Sequence, residues 1–182
     1  MNKRTICLVL TLVCALTMLA QHYNIVKNIA YTMKTDTYSA QRLKLDIYYQ
    51  EQATDLPVVV WFHGGGLTSG EKDFPYKLKE KNCVLVAVNY RLLPNVTIDQ
   101  TIDDAAEAVA WVMNHITEYG GSTKKMIVSG HSAGGYLTMM LALNKQWLER
   151  YGKDANQIAA YVPFSGQAIS HFSYRKMKGI GE

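Results

Sequence analysis

The chain has 182 residues, of which 48% are hydrophobic and 19% charged, and its formal net charge is +4. That suits one domain with its own core and excludes a disordered or low-complexity chain. Lys3 and Arg4 lie in a segment expected to be removed, and the pair Lys124-Lys125 is too short to track a phosphate backbone, so the charge pattern excludes nucleic acid as a partner.

Residues 1–20 have the order of a secretory signal. Lys3 and Arg4 come first, followed by the uncharged stretch Ile6–Ala20 and then polar Gln21-His22. Fifteen uncharged residues fall short of the ~20 that span a bilayer as a helix, so no stable membrane span is expected. Cleavage is expected after Ala20, which gives a signal peptide over 1–20, one domain over 21–182 and a secreted or periplasmic protein. Cys7 and Cys14 leave with the leader, and Cys83 alone cannot close an internal disulfide.

Residues 25–33 and 43–49 are predicted strands. In the second, Leu43, Leu45 and Ile47 alternate with Lys44 and Asp46, the pattern of a half-exposed antiparallel edge. Pro57 then opens Val58-Val59-Val60-Trp61-Phe62, a continuous apolar run of the kind buried on both faces of a parallel sheet. Runs at 83–88, 126–128 and 158–162 repeat it. A helix is predicted over 98–118, its apolar stripe running through Ile102, Ala105, Ala106, Val109, Val112, Met113 and Ile116. Asp99, Asp103 and Asp104 suit its dipole near the start, and Gly120-Gly121 ends it. A second helix, from about Ala133 to Leu143, is apolar nearly all round and should be central and buried. Strands alternating with helices imply βαβ crossovers, hence an α/β fold with a mostly parallel twisted sheet flanked by helices.

Two motifs carry chemistry. Gly130-His131-Ser132-Ala133-Gly134 matches G-x-S-x-G between a predicted strand and an apolar helix. A nucleophilic serine presented on so sharp a turn needs small flanking residues, and the following helix aims its first amides at developing negative charge. His63-Gly64-Gly65-Gly66 follows the strand Val58–Phe62, and three glycines let main-chain N–H groups approach a substrate. Acyl transfer needs such donors at the oxyanion; one comes from the residue after the nucleophile, here Ala133, and the others from a loop of this kind. The glycines complete neither G-x-x-x-x-G-K-[ST] nor G-x-G-x-x-G, which argues against a phosphate loop.

HGGG followed about 65 residues later by GHSAGG resembles the α/β-hydrolase esterases of the hormone-sensitive-lipase-like and carboxylesterase kind. Asn89-Tyr90-Arg91-Leu92, Asp103-Asp104-Ala105 and Trp111 extend the resemblance, which covers roughly residues 40–170. It implies an eight-stranded sheet and neither a metal nor an organic cofactor. It assigns the nucleophile to Ser132, the oxyanion hole to Gly65, Gly66 and Ala133, and support of the loop to His63. The implied reaction is hydrolysis of a small-molecule carboxylic ester through an acyl-enzyme. The pattern selects no acid or alcohol, and arylformamide or acetyl-xylan substrates stay open, as does the oligomeric state.

The resemblance also implies an acid after a seventh strand and a histidine after an eighth. Only fifty residues follow Ser132. His63 belongs to the loop, His131 to the elbow, His115 to a helix end and His22 to the mature N-terminus. His171 follows the sixth strand, too early for the base; Asp154 suits a solvated turn, and Glu182 is the terminus. The chain is therefore expected to be C-terminally truncated, lacking the last strands and helices and weak or inactive as it stands. The alternatives are a non-catalytic remnant or binding module of the same fold, or a peptidase built on it. An apolar sixth strand left at the sheet edge should promote aggregation.

Overall fold

The computed structural model describes residues 22–167. The expected signal peptide over 1–20, and the candidates His171 and Glu182, lie outside the described residues. Six strands form one sheet: β1 (Tyr23–Ala30), β2 (Lys44–Gln50), β3 (Leu56–Phe62), β4 (Val84–Val88), β5 (Gly121–His131) and β6 (Ala160–Phe164), in the order β1-β2-β4-β3-β5-β6. β1 and β2 run antiparallel to their neighbours, and β4, β3, β5 and β6 are parallel. The expected fold class is the one observed.

Four α-helices are described: α1 (Thr37–Arg42), α2 (Ile98–His115), α3 (Ala133–Leu143) and α4 (Gln146–Glu149). The α2 stripe is buried through Ile102, Ala105, Ala106, Val109 and Val112, and it joins Leu137 and Leu141 of α3 against Val58, Val60 and Phe62 of β3 in the main core. A capping box fixes the start of α2: Gln100 N–H donates to Thr97 Oγ1 at 3.3 Å and Thr97 N–H to Gln100 Oε1 at 2.9 Å. Ile116–Tyr119 continues the chain as a 3-10 turn, stopped by Gly120 at φ 76°.

Several expectations are corrected. β2 is not an edge, because β1 covers its outer side; Asp46 is buried there, 3.2 Å from Lys72 Nζ, and accepts the Asn28 N–H at 2.7 Å. The first strand ends at Ala30, and its pairing is broken by a bulge between Val26 and Ile29. β5 begins at Gly121, so Lys124 and Lys125 lie within it, exposed. Asp103 and Asp104 serve no helix start: Asp104 is buried against Arg91, and Asp103 accepts the Tyr151 hydroxyl at 3.0 Å. β6 runs two residues later than predicted and is not buried on both faces, since Val162 and Phe164 are exposed. α1 has too few residues to show a period and was not predicted.

The parallel strands end level. Phe62 lies opposite Val88 on one side and Gly130 on the other, and Gly130 lies opposite Pro163. Loops leaving the carboxyl ends of β3, β4 and β5 therefore meet at one place, the usual site position in such sheets.

Candidate active site

Ser132 is the single residue between β5 and α3. Its φ of 54° and ψ of −111° fall outside the regions open to ordinary residues, and such strain persists only where the surroundings enforce it. Here they do: its N–H donates to Phe164 O at 2.8 Å and its carbonyl accepts Tyr136 N–H at 2.9 Å. The flanking glycines leave no room for a side chain. A Cβ on Gly134 would lie 2.0 Å from Phe62 O, and one on Gly130 would lie 2.6 Å from Gly134 O. The elbow is thus wedged against the end of β3, the strand that releases the triple-glycine loop.

Loop and elbow are in contact. A Cβ on Gly64 would sit 3.5 Å from Ser132 Cβ and 3.2 Å from His131 O. Gly65 and Gly66 follow, both exposed and at positive φ, 113° and 63°. The Gly65 carbonyl accepts N–H groups from Thr68 and Ser69, both at 3.1 Å, which closes the loop on itself. No acceptor among the described residues takes the N–H of Gly65, Gly66 or Ala133. Ser132 is half-buried, and its hydroxyl bonds to no described residue. Gly64 thus joins the loop to the elbow of Ser132 and Ala133, Gly65 and Gly66 follow it along the loop, and the N–H groups of Gly65, Gly66 and Ala133 are left unspent among the described residues.

His63 is buried behind the loop. Its ring stacks on Tyr90 at 4.3 Å and 12°, Nδ1 lies 2.6 Å from Gly64 O, and Tyr90 Oη donates to His63 O at 2.7 Å. Burial lowers the His63 pKa and raises that of Tyr90, so the imidazole is held neutral and the phenol protonated. Arg91, also in the stretch after β4, makes a two-pronged pair with Asp104 of α2, at 2.8 Å and 2.6 Å, and that bond holds the guanidinium charged.

The other histidines do not approach Ser132 as a base. His115 stacks on Trp111 and lies 3.0 Å from Glu118. His22 is exposed at the start of β1, and its carbonyl accepts the Glu51 N–H at 2.9 Å. His131 is exposed, with Nδ1 against Gly64 rather than bonded to the Ser132 hydroxyl. Asp154 caps a 3-10 turn by accepting the Asn156 N–H at 2.8 Å. Among the described residues no group of three or more His, Cys, Asp or Glu could hold a metal ion.

Sequence reasoning missed Arg42, the last residue of α1. It reaches the loop at Gly70 O, 2.6 Å, and at His63 Nε2, 3.2 Å, and pairs with Glu71 at 2.6 Å. Nothing in the six residues of α1 signals this, because the contact joins positions 21 and 28 residues apart.

Comparison with known proteins finds relatives and fold neighbours named as esterases. Over 149 residues the chain is 30% identical to a probable isoprenylcysteine alpha-carbonyl methylesterase of Oryza sativa subsp. japonica, covering 74% of this chain and 35% of the relative. Over 118 residues it is 35% identical to the probable carboxylic ester hydrolase LipM of Mycobacterium tuberculosis, covering 60% of this chain and 27% of that protein. The chain thus spans about a third of the length of such relatives. In fold it is similar to Esterase B from Lactobacillus rhamnosis, with a TM-score of 0.61 at 20% identity over 89% of this chain and 53% of that one. It is also similar to juvenile hormone esterase from Manduca sexta, with a TM-score of 0.63 at 25% identity over 80% of this chain and 29% of that one. The BD-FAE family profile matches residues 45–173, a span that runs from β2 through the glycine loop and the serine elbow to beyond β6, and the chain belongs to that family of α/β-hydrolase esterases.

Proposed function

We propose that this chain carries the nucleophile and oxyanion hole of a carboxylic ester hydrolase acting on small-molecule esters. Ser132 Oγ attacks the ester carbonyl, the alcohol leaves, and water later releases the acid from the acyl-serine. The N–H groups of Gly65, Gly66 and Ala133 receive the negative charge that develops on the carbonyl oxygen. The observation that carries this is a serine held at φ 54° against a glycine loop whose N–H groups have no described acceptor. The methylesterase and carboxylic ester hydrolase names of the relatives support the same reaction class.

No described histidine or carboxylate touches Ser132 Oγ, so the general base and its acid would come from outside residues 22–167. Without them the serine is a weak nucleophile, and the acceleration that remains is what the oxyanion hole and binding supply. Residues 22–167 on their own are therefore expected to react slowly. We propose that residues 1–20 are an export leader ending at Ala20 and that the protein acts outside the cytoplasm, a reading supported by Lys3, Arg4 and the uncharged stretch Ile6–Ala20.

Prolonged incubation with a fluorophosphonate, read by peptide mass mapping, tests the site. Slow labelling confined to Ser132, and absent from Ser132→Ala, is the expected result. Equal labelling of Ser132→Ala, or label on another residue, overturns the assignment. Rapid p-nitrophenyl ester turnover that Ser132→Ala abolishes would show that the base lies in the chain outside residues 22–167. For the leader, expression with residues 1–20 should yield an exported chain that begins at Gln21.

A further inference from the structure

We propose that Arg42 is a positioning residue that fixes the direction of the Gly65 N–H by dictating which nitrogen of His63 carries the proton. The inference rests on the proposed oxyanion role of Gly65 and adds to it a relay that begins outside the loop.

The relay starts with what arginine cannot do. A guanidinium only donates hydrogen bonds, so the His63 Nε2 that faces Arg42 Nη2 at 3.2 Å must be an acceptor and carry no proton. The ring proton then resides on Nδ1. The far side of the ring agrees, because both neighbours of Nδ1 are acceptors. Gly64 O lies at 2.6 Å, and Tyr90 Oη lies at 3.4 Å with its own proton already given to His63 O at 2.7 Å. Nδ1–H therefore donates to Gly64 O.

That bond fixes the next peptide. In a planar trans peptide the carbonyl of one residue and the N–H of the next point in opposite directions. With Gly64 O turned to His63, the Gly65 N–H is turned away from it. The other tautomer, with its proton on Nε2, would place a bare Nδ1 against Gly64 O. Rotation of the Gly64–Gly65 peptide would relieve the repulsion by turning the Gly65 N–H toward Nδ1, and that donor would be lost to a substrate oxygen. Glycine on both sides of the peptide bond makes the rotation accessible.

Arg42 is well placed to hold this state. It also donates through Nε to Tyr90 O at 3.0 Å and through Nη2 to Gly70 O at 2.6 Å, and Nη1 pairs with Glu71 at 2.6 Å. One planar group thus ties the end of the loop and the exit of β4 to the ring between them. Glu71 and Asp73 add negative charge near the ring, while Arg42 and burial oppose its protonation.

The test is nitrogen NMR of histidine-labelled protein, which reports the His63 tautomer without any turnover. Fluorophosphonate labelling of Ser132 is measured in parallel. Wild type should show Nδ1–H. Arg42→Met should populate Nε2–H and label Ser132 on the order of 10²-fold more slowly, the loss that follows removal of one oxyanion donor. Arg42→Lys, which also only donates, should restore Nδ1–H and part of the rate, a rescue that general support of the fold would not produce. If Arg42→Met is insoluble, Arg42→Glu, whose carboxylate can only accept, should likewise place a proton on Nε2. A bare Nε2 retained in Arg42→Met or Arg42→Glu, or Nε2–H in wild type, overturns the relay. Failure to label wild-type Ser132 bears on the esterase proposal alone, because the tautomer is read independently.

Discussion

The glycines of the loop and elbow are there for different reasons. Gly134 is required by space, since a Cβ would lie 2.0 Å from a backbone oxygen that cannot move aside. Gly66 is required by its φ of 63° alone, because the nearest atom to a Cβ there is Thr68 Oγ1 at 3.8 Å. Gly134→Ala should therefore cost at least about 3 kcal/mol of unfolding free energy, or prevent folding. Gly66→Ala should cost about 1 kcal/mol, the penalty of a left-handed non-glycine residue. Urea titration of the two variants separates them, and equal losses would contradict the assignment. His63 adds a pH dependence. Its folded pKa lies below the ordinary value of 6.5, so as pH falls through that value the unfolded chain takes up a proton that the folded protein resists. The His63 contribution to stability should thus be complete above that pH and decline below it. Between about pH 7.5 and 5.5 the wild-type urea midpoint should fall more steeply than that of His63→Gln, whose side chain does not titrate.

Among the elements, α2 does two jobs. Its apolar stripe closes the core, and its buried Asp104 anchors the segment after β4 through Arg91 and lies 3.5 Å from Lys34 Nζ. Removing one partner of a buried pair leaves the other charge without compensation, so Asp104→Ala should lower stability by about 3–5 kcal/mol. An apolar Arg91→Met, Asp104→Leu pair should recover much of that loss. At the start of the same helix Thr97→Ala removes one side of the capping box and should cost about 1 kcal/mol. Chemical denaturation of these variants measures both effects, and an Asp104→Ala protein as stable as wild type would show that Arg91 finds another partner. α1 contributes little core of its own, since Ser39 is its buried residue, and its importance lies in delivering Arg42.

Across the molecule the two faces of the sheet are unequally covered among the described residues. α2 and α3 pack on one face, while on the other Phe74 and Leu78 cover Val59, Leu85 and Tyr48. Beyond them Trp61 and Ile127 are half-buried, and Val162 and Phe164 of β6 are exposed. The outer edge of β6 pairs with no described strand, and apolar edges invite self-association. Light scattering of the purified chain should rise with concentration, and Val162→Lys should reduce that rise. A chain that stays monomeric at all concentrations would show that other residues cover this surface. Among the described residues no helix is long and apolar enough to cross a membrane.

The parallel strands, both long helices, the serine elbow and the glycine loop were legible in the amino-acid order, because each is encoded by neighbouring residues. Branched apolar runs at 58–62 and 83–88 allow little but buried strands, and small residues around Ser132 permit a turn that others would block. Contacts between distant segments could not be read that way. The partner of Lys44–Gln50 on its outer side, the pairing of Arg91 with Asp104, and the reach of Arg42 to His63 and Gly70 became visible only when the chain was folded. Local sequence restricts backbone shape, whereas which charged side chain meets which carbonyl depends on where the whole sheet sets them down.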